Sequence, residues 1–406
     1  MTSHTSDRRG WLTLLATLAV LVALIVAMAW RTSASPHAPS SGFGCSDDRP
    51  PRLVSRPPPG GGARQLALAG ETSCSTMHDG SVWCWGAAPP GEGVSTIGAI
   101  GMFQLLPAAA RRGFVLGKAG RCDIAAEGPA RCTTATGEAF AIAAPRKVVI
   151  GDDHACAIAG EGSLRCWGDN AFGQLFETTA EPTRGRDGGE TGTNVRDVAV
   201  GPGFTCVVRA LGTVECRGVA QGAAARLALS QMANATAVAT GESHACVLLA
   251  GGRVACWGKN ALGQLGDGTT TDRETPVEVR LPARAAQIAA YGQRSCAIVD
   301  GGTPYCWGED LARRSSPIPV AVRSPAIGQD TQAITDAEAV ALGARHACIL
   351  RRNGAVACWG DNTERQVSPK LELQPSGGQS SHSCERVVWS EPSGAESAVD
   401  VFWGGR

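Results

Sequence analysis

The cysteines are the residues of this chain whose spacing points most directly to chemistry. Fourteen of the 16 cysteines form seven pairs with members ten positions apart: Cys74 with Cys84, Cys122 with Cys132, Cys156 with Cys166, Cys206 with Cys216, Cys246 with Cys256, Cys296 with Cys306, and Cys348 with Cys358. Cys45 and Cys384 are left over, one before the first pair and one after the last. Thiolate zinc sites use short spacings of the Cys-x-x-Cys kind, which this chain lacks, so the pattern predicts disulfides and not metal ligands.

A glycine-containing tip lies midway between the two cysteines of a pair, as in Gly160-Glu161-Gly162. Glycine supplies the positive φ that tight hairpins require. Across a hairpin centred on Glu161, Cys156 lies opposite Cys166 on the same face, so the two Cβ atoms come within reach of a disulfide. The spacing therefore predicts seven two-stranded hairpins, each closed by its own disulfide.

Catalytic chemistry finds no support in the remaining motifs. A nucleophile motif of the Gly-x-Ser-x-Gly kind, a paired-carboxylate motif and a phosphate loop are all without a supporting context. Asp169, Asp267, Asp361 and Glu309 follow strand ends, where acidic residues commonly cap turns. We therefore predict that the protein is not an enzyme and uses no cofactor and no metal.

The hairpins belong to larger repeats. The first cysteines of successive pairs are between 34 residues (Cys122 to Cys156) and 52 residues (Cys296 to Cys348) apart. Such a period is typical of solenoids and propellers. A short apolar run opens most units, as at residues 66–68, 148–150 and 340–342. These runs lack a helical period, so they predict β-strands.

Further motifs recur in the same register. They are Gly-x-x-His at residues 151–154, 241–244 and 343–346, Trp-Gly-x-Asn at 167–170, 257–260 and 359–362, Gly-Gln-Leu at 173–175 and 263–265, and Pro-Val-x-Val at 276–279. Together they resemble the regulator of chromosome condensation repeat family. The resemblance spans about residues 64–375 and implies an all-β, seven-bladed β-propeller of four-stranded blades. Thr133 and Arg217 replace the Trp in the second and fourth units, so we expect their loops to depart from the family.

The last unit indicates how the ring closes. After Trp359-Gly360-Asp361-Asn362, residues 369–373 have the pattern of a strand that enters a further blade. Only the first blade remains, so we predict that this strand pairs into the blade of residues 66–84 and hides the open sheet edges. Cys45 and Cys384 flank the closure from opposite ends of the chain, and we expect them to form an eighth disulfide.

Histidine and tryptophan also repeat in register. His154, His244 and His346 occupy equivalent positions, but a propeller spreads such positions around its ring, whereas metal ligands must lie about 2 Å from one ion. We therefore predict structural histidines. The tryptophans suggest either an aromatic belt for a ligand or packing between neighbouring blades, and their repetition favours packing. They are Trp83, Trp85, Trp167, Trp257, Trp307 and Trp359.

The N-terminal region predicts export. Residues 11–30 are 20 uncharged residues between Arg9 and Arg31, long enough to span a bilayer. Ala27-Met28-Ala29 is a candidate signal-peptide cleavage site, but the length of the run and the Trp at both ends favour an uncleaved anchor. The predicted organisation is a cytoplasmic segment 1–10, the anchor or signal peptide 11–30, a Pro/Gly/Ser-rich linker 31–64, the propeller 65–375 and a tail 376–406. The propeller then faces the periplasm or the cell exterior, or is secreted.

Charge and loop length indicate the function. With 37 basic and 37 acidic residues the net charge is zero, which disfavours nucleic acid as a partner. Counting strand directions places the Gly-x-x-His turns and the long loops after Trp-Gly at one end of the propeller, and the hairpin tips at the other. We predict a binding scaffold that recognises a protein or an envelope polymer through these loops. The candidate ligand-binding residues are Arg184, Arg186, Arg273, Arg313 and Arg314.

Three function classes stay open. Some exported bacterial members of the family resemble inhibitors of β-lactamases, which makes an inhibitor-like or receptor-like module one form of the leading hypothesis. Intracellular members suggest guanine-nucleotide exchange or chromatin binding, which export, oxidised cysteines and zero net charge oppose. A hydrolase that uses the central channel is the third class, since other propellers work in this way.

Overall fold

The computed structural model describes residues 62–86, 94–96, 102–105, 111–125, 127–176, 193–219, 229–309, 314–324 and 332–360. They belong to one compact unit, Pro50–Gln379 with Glu385–Arg406. A second unit, Met1–Arg49 with Ser380–Cys384, lies outside the described residues, as do the predicted segment 11–30, the tail 376–406 and the expected bond between Cys45 and Cys384. Within the described ranges no helix is long and apolar enough to cross a membrane.

Seven antiparallel sheets follow one another along the chain, and we call them blades 1 to 7. Each blade starts with an inner strand: β1 (Ala63–Ala69), β6 (Arg111–Gly117), β10 (Pro145–Ile150), β13 (Val195–Gly201), β16 (Ala235–Thr240), β20 (Ala285–Tyr291) and β26 (Ala337–Leu342). The second strands are β2 (Thr72–Met77), β7 (Gly120–Ala125), β11 (His154–Ala159), β14 (Phe204–Arg209), β17 (His244–Leu249), β21 (Arg294–Val299) and β27 (His346–Arg351). The third strands are β3 (Val82–Gly86), β8 (Ala130–Thr134), β12 (Ser163–Gly168), β15 (Val214–Gly218), β18 (Val254–Gly258), β22 (Thr303–Glu309) and β28 (Val356–Gly360).

Four blades carry an outer strand in the described part of the chain. These strands are β5 (Met102–Leu105), β9 (Ala139–Ile142), β19 (Arg273–Glu278) and β23 (Ser315–Ala321), in blades 1, 2, 5 and 6. β4 (Val94–Thr96) pairs with β5, so the segment after Trp85 that we expected to be a loop contains a hairpin. β24 (Arg323–Ser324) and β25 (Gln332–Ala333) form a small separate pair. Blades 3, 4 and 7 have three strands within the described residues, where the sequence predicts four.

All seven predicted cysteine pairs within the described residues form disulfides between the second and third strands. The bonds join Cys74 to Cys84, Cys122 to Cys132, Cys156 to Cys166, Cys206 to Cys216, Cys246 to Cys256, Cys296 to Cys306, and Cys348 to Cys358. In each case the two cysteines are direct cross-strand partners. The spacing of ten was therefore sufficient to predict the pairing, because a tight hairpin with its tip at the midpoint places residues i and i+10 opposite each other.

Each disulfide lies on the face of its blade that packs against the next blade, and we call this packing region a seam. The residues of the next blade that share a hydrophobic cluster with the disulfide are Phe114 and Leu116 for blade 1, Val148 and Trp167 for blade 2, Val198 and Val207 for blade 3, Val238 and Trp257 for blade 4, Ala285 and Trp307 for blade 5, Val340 and Trp359 for blade 6, and Trp83 and Trp85 for blade 7. Since side chains alternate along a strand, a Trp directly after the second cysteine points to the preceding blade. The predicted packing role of these tryptophans is confirmed.

Of the two blades that lack the expected Trp, blade 4 uses a cation instead. Arg217 replaces the Trp in blade 4, and its guanidinium lies over the ring of Phe176 from blade 3, 5.0 Å from the centroid. Phe176 is 2% exposed and belongs to the cluster around Cys156 and Cys166. A cation–π contact thus occupies the place of an apolar one, which explains how this seam tolerates the substitution.

Hairpin tips bond to the following blade as well. At five seams the first residue of an inner strand donates its N–H to a tip glycine carbonyl: Ala63 to Gly354 (2.8 Å), Val195 to Gly162 (2.9 Å), Ala235 to Gly212 (3.0 Å), Ala285 to Gly252 (2.7 Å) and Ala337 to Gly302 (2.9 Å). These glycines have φ values from +79° to +108°, which favour glycine over any other residue.

Blade 7 packs directly against blade 1, so the described residues form a closed ring. Trp83 and Trp85 share a hydrophobic cluster with Cys348 and Cys358. The Ala344 N–H donates to the Gly70 carbonyl at 2.9 Å. The predicted closing strand, residues 369–373, lies outside the described residues. Within the described residues, contacts of β1 with β26 and β27 join the two ends of the ring.

The Gly-x-x-His turns join inner and second strands, and in two of them the glycine is required for space. The Gly241 N–H donates to the His244 carbonyl at 2.9 Å, and the His244 imidazole then lies against the glycine Cα. A Cβ on Gly241 would collide with that ring and lie 2.6 Å from the Gly292 carbonyl oxygen of blade 6. Gly343 and His346 repeat this arrangement.

Truncating a seam tryptophan is expected to destabilise the propeller strongly. Trp257 is 2% exposed, so Trp257→Ala removes a fully packed side chain from the seam between blades 4 and 5 and should cost about 3–5 kcal/mol of unfolding free energy. Denaturant unfolding under non-reducing conditions measures this loss. Leu211→Ala is the control, since Leu211 is 87% exposed and its truncation should change stability by about 0.5 kcal/mol at most. Equal effects of the two changes would contradict the seam packing.

Adding a methyl group at Gly241 should be more harmful than adding one at Gly251. Gly251 has φ +88° with open space around it, so Gly251→Ala carries only the cost of the left-handed conformation, about 1–2 kcal/mol. Gly241→Ala instead meets a buried imidazole and a backbone carbonyl that cannot move without opening a seam. Thermal unfolding of the two variants compares these costs, and a smaller loss for Gly241→Ala would refute the close approach.

Candidate functional site

The second and third strands place the functional turns at one end of the propeller. His154 pairs with Gly168, His244 with Gly258, and His346 with Gly360, so the Gly-x-x-His turns and the loops after Trp-Gly share that end. We call it the loop face, and the opposite end with the hairpin tips the tip face. The predicted distribution of loops is confirmed.

The three histidines of these turns bond across seams. The Nε2 atom of His154 lies 2.6 Å from Thr205 Oγ1, that of His244 lies 2.7 Å from Ser295 Oγ, and that of His346 lies 2.7 Å from Ser73 Oγ. All three rings are at most 2% exposed. The predicted structural role of the histidines is confirmed, because each ring ties its blade to the next one near the loop face.

The hydroxyl partners were missed by the sequence analysis, although the sequence contains a signal for them. Ser73, Thr205 and Ser295 stand directly before the first cysteine of blades 1, 4 and 6. The same position is alanine in the His-bearing blades 3, 5 and 7. A hydroxyl therefore occurs one repeat after each histidine, which is the pattern expected for partners across a seam.

The seam between blades 3 and 4 combines three groups in the order Asp153, His154, Thr205. Asp153 Oδ1 lies 2.6 Å from His154 Nδ1, and Asp153 Oδ2 accepts the Gly203 N–H at 2.6 Å. Burial alone raises the pKa of the Asp153 carboxyl, but the hydrogen bonds from His154 and Gly203 outweigh it and hold this pKa below its usual value. An ionised Asp153 accepts a hydrogen bond from Nδ1 of His154, while Nε2 of the same ring makes the hydrogen bond with Thr205. Thr205 is fully buried and cannot meet a substrate, so the group is structural.

Blade 5 has a loop on this face, residues 259–272, that is described in full and held by internal hydrogen bonds. Asn260 is its centre: Oδ1 accepts the Leu265 N–H at 2.9 Å, and Nδ2 donates to the carbonyls of Thr269 and Thr271 at 3.0 Å each. Gln264 Oε1 accepts the Leu262 N–H at 2.9 Å. Asn170 and Gln174 make the equivalent bonds in blade 3. The Trp-Gly-x-Asn and Gly-Gln-Leu motifs thus fold the loops.

The candidate arginines fall into two groups. Arg184, Arg186 and Arg313 lie outside the described residues, and Arg314 is exposed at the start of the segment that enters β23. Arg273 donates to Asp267 from both Nε and Nη2 at 3.2 Å. Burial alone raises the pKa of Asp267, but the hydrogen bonds from Thr269 and Arg273 outweigh it and hold it below its usual value. Arg273 therefore stabilises its own loop, a role that the sequence analysis did not predict.

The inner strands of all seven blades enclose a central channel with a cavity of about 330 Å³. Its lining is mostly small or aliphatic, with Lys147 and Asp152 as the charged residues among the described lining. Asp152 is held by Lys118 of blade 2, whose Nζ lies 2.8 Å from its carboxylate. The described lining thus contains one carboxylate, and this carboxylate is in an ion pair. The described residues also contain no cluster of three or more metal-ligating side chains.

An apolar patch lies on the loop face where blades 3 and 4 meet. Phe172 is 59% exposed and Val219 is 39% exposed, and both side chains lie over Gly203, where a Cβ would be 3.2 Å from Phe172 and 3.0 Å from Val219. Pro202 is exposed beside them. In blade 5 the residue equivalent to Phe172 is Leu262, which is half-buried.

Contacts from blade 6 explain why Leu262 is less exposed than Phe172. Ser315 donates its hydroxyl to the Leu262 carbonyl at 2.9 Å, and Pro317 lies against the adjacent Gly263. The described residues of blade 4 place no such cover on Phe172. The patch of Phe172, Pro202 and Val219 is therefore the candidate contact surface of this face, and its exposure was not predicted from the sequence.

Comparison with known proteins identifies the repeats. A family model described as Regulator of chromosome condensation (RCC1) repeat matches residues 146–174, 235–264 and 337–366. A second model with the same description matches residues 251–299. The three segments of the first model are those of blades 3, 5 and 7, which carry the Gly-x-x-His turns. No curated protein matches the sequence significantly.

Several solved structures align with this chain. The CRINKLY WD40 ectodomain of the receptor kinase ACR4 from Arabidopsis thaliana is 18% identical, with 74% of this chain and 96% of that chain covered and a TM-score of 0.46. Human WBSCR16 is 16% identical, with coverage of 81% and 84% and a TM-score of 0.46. Prp20p from Saccharomyces cerevisiae is 16% identical, with coverage of 74% and 72% and a TM-score of 0.41.

Three independent features of this chain agree with the matched repeats. They are the seven consecutive sheets, the recurrent Gly-x-x-His turns and the Asn-centred loops after Trp-Gly. The chain therefore contains RCC1-like repeats, and its described residues form a β-propeller in which a disulfide closes every blade.

Proposed function

We propose that this propeller is an exported scaffold that binds a protein partner through its loop face. The observation that carries the proposal is the exposed patch of Phe172, Pro202 and Val219 at the seam between blades 3 and 4. Exposed aromatic side chains on a rigid support are the usual anchors of protein interfaces. Blades locked by disulfides hold the patch in place, so little entropy is lost on binding.

We propose that charged residues of other loops also belong to this surface. Arg184, Arg186, Arg313 and Arg314 belong to the loops that follow Trp-Gly in blades 3 and 6, and we propose them as rim contacts. An envelope polymer is the alternative ligand for such a rim. The apolar patch favours a protein, because a polar glycan or polyanion gains little from a phenylalanine that is 59% exposed.

Export is supported by the seven disulfides. Disulfides persist in oxidising compartments and are rare in the cytosol, and this protein has one in every blade. Exchange of guanine nucleotides or binding to chromatin would place the protein in a reducing compartment. The zero net charge also opposes a nucleic-acid partner. Membrane anchorage through residues 11–30 is part of the same proposal.

Substitution of the central aromatic should abolish partner binding. Phe172→Asp places a charge in the apolar patch, and we expect it to weaken binding by about 30-fold or more, the usual effect of losing a hot-spot aromatic. Leu211→Asp is the matched control, because Leu211 is an exposed hydrophobic residue at 87% on the tip face. Proteins captured from the native envelope fraction are quantified for both variants, and the affinity of the enriched partner is then measured. Equal capture by wild type and Phe172→Asp would contradict the proposal.

Disulfide mapping of the protein from its native envelope fraction tests the compartment. We expect peptides that link residues i and i+10 for all seven pairs and, in addition, a peptide that links Cys45 to Cys384. Because all fourteen paired cysteines are in disulfides, alkylation of the protein after denaturation without reductant should label none of them. Free thiols throughout would overturn export and return the exchange-factor alternative to first place.

A further inference from the structure

The seam between blades 5 and 6 contains a continuous chain of hydrogen bonds on the loop face. Ser295 donates its hydroxyl to the Gln264 carbonyl at 3.1 Å, and Trp307 Nε1 donates to the same carbonyl at 2.9 Å. His244 Nε2 lies 2.7 Å from Ser295 Oγ. Because the hydroxyl proton of Ser295 is used for Gln264, His244 must donate from Nε2. The ring therefore holds the Gly-Gln-Leu turn of its own blade through a serine of the next blade.

This assignment leaves His244 Nδ1 unprotonated, with a lone pair that no hydrogen-bond donor meets in the protein interior. Nδ1 is buried and has no hydrogen-bond partner, and it faces the space above Gly241. His154 differs at this atom, because its Nδ1 donates to Asp153. The residue before each histidine decides the difference: it is Asp153 in blade 3 and Ser243 in blade 5.

A protonated His244 would find no counter-charge. The titratable and charged side chains on the elements packed around it are Glu242, Lys259, Asp267, Asp272, Tyr291, Arg294 and Glu309. Lys259 is paired with Asp272 at 2.8 Å, Asp267 with Arg273, and Arg294 donates to the Glu309 carbonyl at 2.8 Å. None of these side chains, all within the fully described range 229–309, is hydrogen-bonded to the imidazole. Burial lowers the pKa of His244 to about 4.

We propose that His244 is an acid-sensitive latch. When its imidazole takes up a proton, the seam between blades 5 and 6 opens at the loop face. The added proton goes to Nδ1, where a buried N–H has no acceptor and the ring carries an unpaired charge. The imidazolium is then expelled toward water, and Ser295 loses its hydrogen bond to His244. At the seam between blades 3 and 4, by contrast, Asp153 Oδ1 lies 2.6 Å from His154 Nδ1, so an N–H at that atom has an acceptor.

The sign of the pH dependence follows from the lowered pKa. Unfolded or released histidine has an ordinary pKa of 6.5, whereas folded His244 takes up its proton only near pH 4. The latch is therefore fully closed above pH 6.5 and weakens as the pH falls from 6.5 toward 4. Within that window the closed-to-released ratio should fall by up to about tenfold per pH unit.

Exchanging the residue before the histidine tests the latch. Ser243→Asp copies the acid of blade 3 beside His244 and should remove the acid sensitivity, and His244→Gln keeps a donor for Ser295 but cannot titrate in this range. Asp153→Ser is the reciprocal variant and should create a second acid-sensitive seam. The full chain is unfolded with denaturant at several pH values between 7 and 4.5 for each variant.

Local opening is followed by hydrogen exchange in the same samples, corrected for the pH dependence of the intrinsic rate. Wild type should lose protection at residues 260–273 below about pH 6 while the tip at residues 249–253 stays protected. Ser243→Asp and His244→Gln should keep protection at both places. Parallel pH profiles for wild type, Ser243→Asp and His244→Gln would overturn the proposal. If His244→Gln fails to fold, the reciprocal pair Ser243→Asp and Asp153→Ser decides the outcome alone.

Discussion

The packing of each disulfide against the next blade is the interaction on which the rest of the molecule depends. One face of every hairpin carries the cysteine bridge, and the alternate face carries the Trp or its substitute, so each seam joins a disulfide to an aromatic or aliphatic surface. A blade cannot move without opening two such seams. The disulfides join two strands within one blade, whereas apolar packing joins neighbouring blades. Together they hold the ring in one arrangement.

Hydrogen bonds between neighbouring blades add to this apolar packing at both ends of the propeller. On the tip face, glycine carbonyls accept the first N–H of the next inner strand, as in the bond from Ala285 to Gly252. On the loop face, a buried imidazole meets a hydroxyl of the next blade at three seams. Burial makes such bonds costly to break, since a separated donor or acceptor stays away from water. Gly241 and Gly343 leave the space that the rings of His244 and His346 need.

Departures from the repeat coincide with the candidate contact surface. Blade 4 has Arg217 in place of Trp, and the exposed Phe172 and Val219 lie over its Gly203. At the seam between blades 5 and 6, by contrast, Ser315 and Pro317 cover the loop of blade 5. A regular repeat hides its apolar side chains in its seams, so an irregular seam is where apolar surface becomes available to a partner.

The sequence by itself determined the hairpins, the disulfide pairs, the repeat register and the end of the propeller that carries the loops. These features follow from local geometry, because a tip at the midpoint of a ten-residue spacing fixes both the pairing and the direction of the strands. Tertiary structure alone decided which groups meet across seams, such as His244 with Ser295 and Arg217 with Phe176. It also decided that Phe172 is exposed and Leu262 is covered. Such contacts join residues tens of positions apart, and their geometry depends on how closed blades pack in the ring, which no local pattern encodes.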